Sequence, residues 1–355
     1  MSQTYSVQKI LKLFNCTITR DALIKAENTG LIPKANRKGS RRNWSTEHLP
    51  AIGKRYGFLK PLSSPMVVTF FTQKGGVLKS SLAMNLARNA ALHGTKTCLL
   101  GLDSQCDITN AMGHQLDLDE AESLEDAMQI LSSVYGLTDI EKGRVNIRDA
   151  ITTSDIPNLD LIPETPDLVS LDKDISTKNM RDFWLRDNII DSLKKEYDLI
   201  VIDCAPSFSI LNTNALIACD VLISPLECAI NNYRNYLAFK TYIEIFKRDT
   251  RHDFAHIYVP TKFKSTRRLS SEIKSWYLKN VPGCLTSVIR ESVASEEAIA
   301  SHLSLPEYAP SSVYADEMKE FIQEAWTKIL HESEKKLKVD GRKRKSKKTH
   351  HNAEV

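Results

Sequence analysis

The feature that most constrains this chain is a strand, loop and helix met in direct succession. The apolar run MVVTFFT ends at Thr72, Gln73-Lys74-Gly75-Gly76-Val77-Leu78-Lys79-Ser80-Ser81 follows, and a helix is expected from Ser80 through Leu92. Glycines let backbone N–H groups curl around an anion, and the amino end of the helix adds a favourable partial charge. Lys79 is placed to reach terminal phosphates and the Ser80 hydroxyl to sit on Mg²⁺. The ordinary pattern GxxxxGK[ST] is not met, because Gln73 and Leu78 occupy its two glycine positions. The variant KGGxxK[ST] is met, with Lys74 as an extra cation beyond what one triphosphate in one subunit needs.

The rest of the chain fits a fold built around such a loop. MVVTFFT, TKTCLLGLD, LDLIP, YDLIVIDCA, DVLISPL and AHIYVPT are near-continuous apolar runs separated by helical stretches. A parallel sheet buried on both faces demands this pattern, so the fold class is α/β with a doubly wound, mostly parallel sheet. Asp103 ends the second of these strands and Asp203 the YDLIVIDCA strand, where carboxylates face a phosphate site at the carboxyl edge of the sheet. Asp203 can hold Mg²⁺ through water. The seven cysteines are odd in number and form no CxxC pair, which excludes a disulfide scaffold and a zinc site. No apolar run is long enough to span a bilayer, so a cytoplasmic address is expected.

The net charge of +4 conceals an uneven distribution. Met1 to Leu62 carries +9 and Lys335 to Val355 +7, leaving −12 on the body between them. The basic ends suit polyanions, or in the tail simply a solvated charge run. In the first segment Ser6 can cap a helix to about Phe14, and a second helix runs from about Thr19 to Asn28. The basic turn-rich stretch IPKANRKGSRRNW then suggests a wing before a third helix opening at Ser45. The expected organisation is a small helical winged unit over 1–56, a linker over 57–65, the nucleotide-binding domain over 66–334 and a disordered basic tail over 335–355.

Two resemblances sharpen this reading. TRDALIKAENTGLIPKANRKGSRRNW is similar to the amino-terminal winged helix-turn-helix of the MerR regulators, on Arg20, Glu27, Gly30, Leu31, Ile32, Pro33, Arg42 and Trp44. It implies that Thr19, Arg20 and Lys25 face a major groove, while Lys38, Arg41 and Arg42 in the wing contact phosphates or the minor groove. KGGVLKSS, LLGLDSQCDIT and YDLIVIDCAPS, in that order, resemble the ParA/MinD group of deviant Walker ATPases, and within it the ParA partition ATPases.

That second resemblance implies ATP and Mg²⁺ as cofactors, with Lys74 reaching the partner subunit's nucleotide. Gly75, Gly76, Val77, Leu78, Lys79, Ser80 and Ser81 would surround the phosphates, Ser80 and Asp203 the metal, and Asp103 the attacking water. It further implies a nucleoid-associated homodimer that binds DNA without sequence preference, stimulated by a ParB-type centromere-binding partner, with Lys262, Lys264, Arg267 and Arg268 as DNA contacts. Leu78 replaces a glycine of the small chromosomal members, and Gly101 stands where many relatives carry an additional aspartate. A MinD-like membrane cycle is disfavoured, since almost no apolar residue follows Val339. A transcriptional regulator gated by nucleotide, with little turnover, is the alternative of another class.

Overall fold

The computed structural model describes residues 3–39, 41–114, 123, 125 and 134–351, the side chains of Lys38 and of residues 340–351 excepted. At the amino end, β1 (Thr4–Ser6) leads into α1 (Val7–Leu13), which the Ser6 hydroxyl caps by accepting the amide of Lys9. The Thr19 hydroxyl accepts the amide of Ala22 and so caps α2 (Arg20–Asn28). Each cap satisfies an orphan donor that a helix start leaves open. Where the sequence suggests a wing, β2 (Asn36–Lys38) pairs antiparallel with β3 (Arg41–Ser45). β1, too short to register in a period-based reading, adds to the other edge of β3. A 3₁₀ turn at Thr46–His48 then runs into α3 (Leu49–Tyr56).

The six apolar runs form β4 (Met66–Phe70), β5 (Thr97–Leu102), β7 (Leu159–Ile162), β8 (Leu199–Cys204), β9 (Val221–Glu227) and β10 (Ala255–Thr261). They lie in one sheet ordered β10-β9-β4-β8-β5-β7-β6, parallel throughout except for the edge strand β6 (Thr152–Thr153), which the sequence reading missed. Every residue of β4, β5 and β8 is buried. Side chains alternate between two cores, as the period of a strand requires. Val68, Phe70, Leu99 and Val201 face α4 (Lys79–Leu92) and the carboxyl-terminal helix, while Val67, Leu100, Ile200 and Ile202 face the opposite layer. All seven cysteines are free.

The amino-terminal unit is docked on the body, and the two share one apolar core. The Phe14 and His93 rings meet edge to face at 5.1 Å, and Lys319 Nζ donates to Lys12 O and Asn15 Oδ1, both at 3.1 Å. The expected linker has no regular structure but is fastened along its length. Trp326 Nε1 donates to Lys60 O at 2.8 Å, and the amides of Ser63 and Ser64 both donate to Ser333 Oγ at 2.8 Å.

The expected break at residue 335 needs correction. The helix Val313–His351 runs straight through it, and Lys336 Nζ pairs with Asp220 at 2.7 Å. The segment is rich in Lys and Arg, which are good helix formers, and lacks proline, so helix propensity overrides the reading of a basic run as an unstructured tail. Residues 352–355 of that expected tail lie outside the described residues.

Candidate nucleotide site

Strand register assembles the site. Asp203 on β8 lies directly opposite Phe70 on β4 and Gly101 on β5. The loop after β4 and the turn after β5 therefore flank Asp203, and Asp103 sits just beyond the end of β5. Lys79 and Ser80 open α4, with the Lys79 side chain buried and Ser80 partly so. Gly76 has φ +66° and no atom within 4 Å of where a Cβ would stand, so the loop backbone is open on that side. Leu78 also takes a left-handed φ, +72°, directly before α4. A branched side chain there carries backbone strain of about 1–2 kcal/mol that glycine would avoid.

Asp203 is fully buried, and neither carboxylate oxygen has a hydrogen-bond partner among the described residues. Burial pushes its carboxyl up to about 7, against the Ser80 hydroxyl and the Lys79 ammonium, which pull it down. A buried carboxylate beside the Ser80 hydroxyl is a pair of hard oxygen donors that suits Mg²⁺, and the Lys79 ammonium next to it suits a polyphosphate. Asp103 is partly exposed, and its Oδ1 accepts the amide of Gln105 at 3.1 Å.

Lys74 is ion-paired with Glu227, the last residue of β9, beside a cavity of about 300 Å³ lined by Thr72, Asn232, Tyr236 and Phe239 among others. Sequence reasoning missed Glu227. It also missed Glu164, which is 1% exposed and pushed up to about 8 by burial first and the nearby Asp203 second. The signal lay inside LDLIPETPDL, where a charged residue follows directly on an apolar strand.

The positions expected to meet DNA are less uniform. Arg20, Lys25 and Arg41 are exposed, while the Thr19 hydroxyl is occupied as a helix cap. Arg42 Nε bonds Glu27 at 2.6 Å, and the same carboxylate accepts the amide of Ala35 at 3.2 Å, so Arg42 ties β3 to α2. Lys38 has its side chain outside the described residues. Lys262 pairs with Glu291 at 2.6 Å and Arg268 with Glu272 at 2.8 Å, whereas Lys264 and Arg267 are exposed without an ion pair among the described residues.

Sheet, loop and paired aspartates define a P-loop NTPase with a large, mostly parallel α/β sheet. The family described as an AAA domain matches residues 66–256. The chain belongs to that family, and the relatives it is similar to include proteins named for chromosome partitioning.

It is 27% identical over 264 residues to the cell division protein PomZ of Myxococcus xanthus, covering 74% of this chain and 78% of that one. It is 31% identical over 162 residues to the chromosome partitioning protein ParA of the same organism, covering 46% of this chain and only 52% of ParA. The chain thus spans about half the length of that relative.

Among solved structures, a plasmid partition protein of Borrelia burgdorferi B31 bound to AMPPNP superposes with a TM-score of 0.60 at 24% identity, over 75% of this chain and 99% of that one. Cobyrinic acid a,c-diamide synthase of Mycobacterium smegmatis, with a bound ATP analogue and magnesium, superposes at 0.55 and 23% identity, over 67% of this chain and 91% of that one. These two likenesses are of fold.

Proposed function

We propose that this chain is a slow, Mg²⁺-dependent ATPase that segregates plasmid or chromosomal DNA as an ATP-gated homodimer. The observation that supports it most directly is the register Phe70–Asp203–Gly101, which gathers the lysine loop, Asp103 and an unpartnered Asp203 at one sheet edge. Gly75, Gly76, Val77, Leu78, Lys79, Ser80 and Ser81 surround the phosphates in this reading, and Ser80 and Asp203 hold Mg²⁺. The metal supplies charge neutralisation on the phosphates when bound. Asp103 orients the attacking water, and Lys74 leaves Glu227 to serve the nucleotide of the second subunit.

The dimer then binds duplex DNA through basic groups, Lys264 and Arg267 among them, and a ParB-type partner accelerates hydrolysis and release. The amino-terminal unit, read as a winged helix-turn-helix, represses the protein's own operon. A nucleoid-associated cytoplasmic location fits such a cycle, and no described helix is long and apolar enough to cross a membrane.

One observation favours a second reading, a transcriptional regulator gated by nucleotide. The amino-terminal unit packs on α4, the helix that starts at the phosphate loop, so a change at the loop bears directly on that unit. Turnover of radiolabelled ATP with Mg²⁺ or EDTA, in the unaltered chain and in Asp103→Ala, separates the two. Slow Mg²⁺-dependent hydrolysis that Asp103→Ala abolishes supports the ATPase. Tight ATP binding without any turnover in the unaltered chain contradicts it and leaves the regulator.

A further inference from the structure

Glu164 stands two residues beyond the end of β7, and its carboxylate reaches across β5 onto Gly101. A Cβ built at Gly101 would fall 2.1 Å from Glu164 Oε1 and 2.2 Å from its Cδ. The space that any side chain at 101 would need is therefore filled by the end of Glu164. Asp203 is the cross-strand neighbour of Gly101, so the glutamate lies beside the candidate metal position without being one of its expected donors.

The other carboxylate oxygen grips the chain that follows Asp103. Glu164 Oε2 accepts the amides of Ile108 and Thr109 at 3.0 and 3.1 Å and the Thr109 hydroxyl at 3.3 Å. That hydroxyl in turn accepts the amide of Glu164 at 2.7 Å, which closes a reciprocal pair. Between Asp103 and this grip the backbone forms one tight turn, with the amide of Cys106 donating to Asp103 O at 3.0 Å and the short helix α5 (Asp107–Ala111) following. A turn fastened at its far end by a buried, three-times-bonded carboxylate has little freedom at its near end. Glu164 Oε1 is buried and has no hydrogen-bond partner among the described residues, so burial of this group is not offset by hydrogen bonding alone.

We propose that Glu164 is a positioning residue for ATP hydrolysis: it fills the volume left by Gly101 and, through Ile108 and Thr109, fixes the turn that carries Asp103. This rests on the ATPase reading above and assigns within it a residue outside the expected ligands of nucleotide and metal. Loss of the grip lets Asp103 wander, so hydrolysis slows while ATP binding, which belongs to the loop after β4, is preserved.

The test compares Glu164→Ala and Glu164→Gln with the unaltered chain by single-turnover ATP hydrolysis, by titration with a fluorescent ATP analogue, and by amide exchange at Ile108 and Thr109. Glu164→Ala is expected to lower the single-turnover rate about tenfold or more with the affinity changed less than about threefold, and to speed exchange at both amides by about tenfold. Glu164→Gln keeps an acceptor for the same donors and is expected within about threefold of the unaltered rate. Glu164→Ala hydrolysing as fast as the unaltered chain overturns the inference, as does Glu164→Gln failing as badly as Glu164→Ala. Unchanged exchange in Glu164→Ala overturns it even if the unaltered chain proves to have no turnover, an outcome that would sink the ATPase reading separately.

Discussion

Arg88 and Glu307 form a doubly bonded ion pair from which solvent is excluded, with Nε–Oε2 at 2.8 Å and Nη2–Oε1 at 2.9 Å. Arg88 lies on α4, and its Nη1 and Nη2 also bond Asp155, at 2.8 and 2.9 Å. Glu307 accepts the Tyr5 hydroxyl at 3.2 Å, so one buried carboxylate joins the phosphate-loop helix to the first strand of the amino-terminal unit. Burial pushes the Glu307 carboxyl up, but Arg88 and the Ser304 hydrogen bonds together hold it below its usual range.

Removing one partner of such a pair leaves an uncompensated buried charge. Arg88→Met is expected to cost about 3–5 kcal/mol, read as a lower urea midpoint at unchanged slope. Tyr5→Phe, which loses one hydrogen bond to a charged group, is expected to cost about 1–3 kcal/mol. An Arg88→Met midpoint within error of the unaltered chain would contradict this account of the docking.

Lys74 and Glu227 are both partly exposed, so their pairing contributes about 1 kcal/mol or less and is easily broken. Lys74→Ala is expected to fold normally but to remain monomeric with ATP in sedimentation velocity. Glu227→Gln, which frees Lys74, is expected to dimerise at least as readily as the unaltered chain. ATP-driven dimerisation of Lys74→Ala would remove the cross-subunit role assigned to that lysine.

Much of this was legible in the sequence because two periodic signals dominate it. The six apolar runs are long enough to define parallel strands, and the glycine loop can sit only between a strand and a helix. Ser6 and Thr19 announce their helices because caps act locally. What escaped reading depends on contacts remote in sequence. Glu307 lies 219 residues from Arg88, and Glu164 meets Thr109 across 55 residues, separations that no local pattern encodes. The tail escaped for another reason: charge density argues for solvation while the same lysines and arginines are good helix formers, and here helix propensity with the Lys336–Asp220 anchor prevails. Arg42 matched a motif position yet is held by Glu27, so matching alone did not tell a DNA contact from a structural pair.

His93 makes the junction sensitive to acid. It ends α4 between Phe14 and Phe58, its Nδ1 donates to Asn89 O at 2.7 Å, and its buried Nε2 has no partner among the described residues. Burial lowers its value to about 4, against the opposing Asn89 bond. The unfolded chain takes up this proton first, so the stabilisation is fully present above about 6.5 and is lost as pH falls towards 4. Thermal midpoints are expected to drop across that window. His93→Gln is expected to flatten part of the slope, leaving the share of His256, which burial lowers to about 3. A His93→Gln slope identical to that of the unaltered chain would assign the acid sensitivity elsewhere.

Lys264 and Arg267 are the basic residues of their cluster without an ion pair among the described residues. Lys264→Ala with Arg267→Ala is expected to weaken binding to random duplex DNA and to reduce the slope of log affinity on log salt by about 1–2. Lys262→Ala, which breaks a pair with Glu291, is expected to do less. Equal losses from both changes would mean that the ion pairs do not sort these residues.

The central claim is a nucleotide-gated switch, and its most direct test is a titration of the protein onto random-sequence duplex DNA with ATP, ADP or no nucleotide, alongside Lys74→Ala. The account predicts tight, salt-sensitive binding with ATP alone, absent in Lys74→Ala. Binding of equal strength in all three nucleotide states would contradict it.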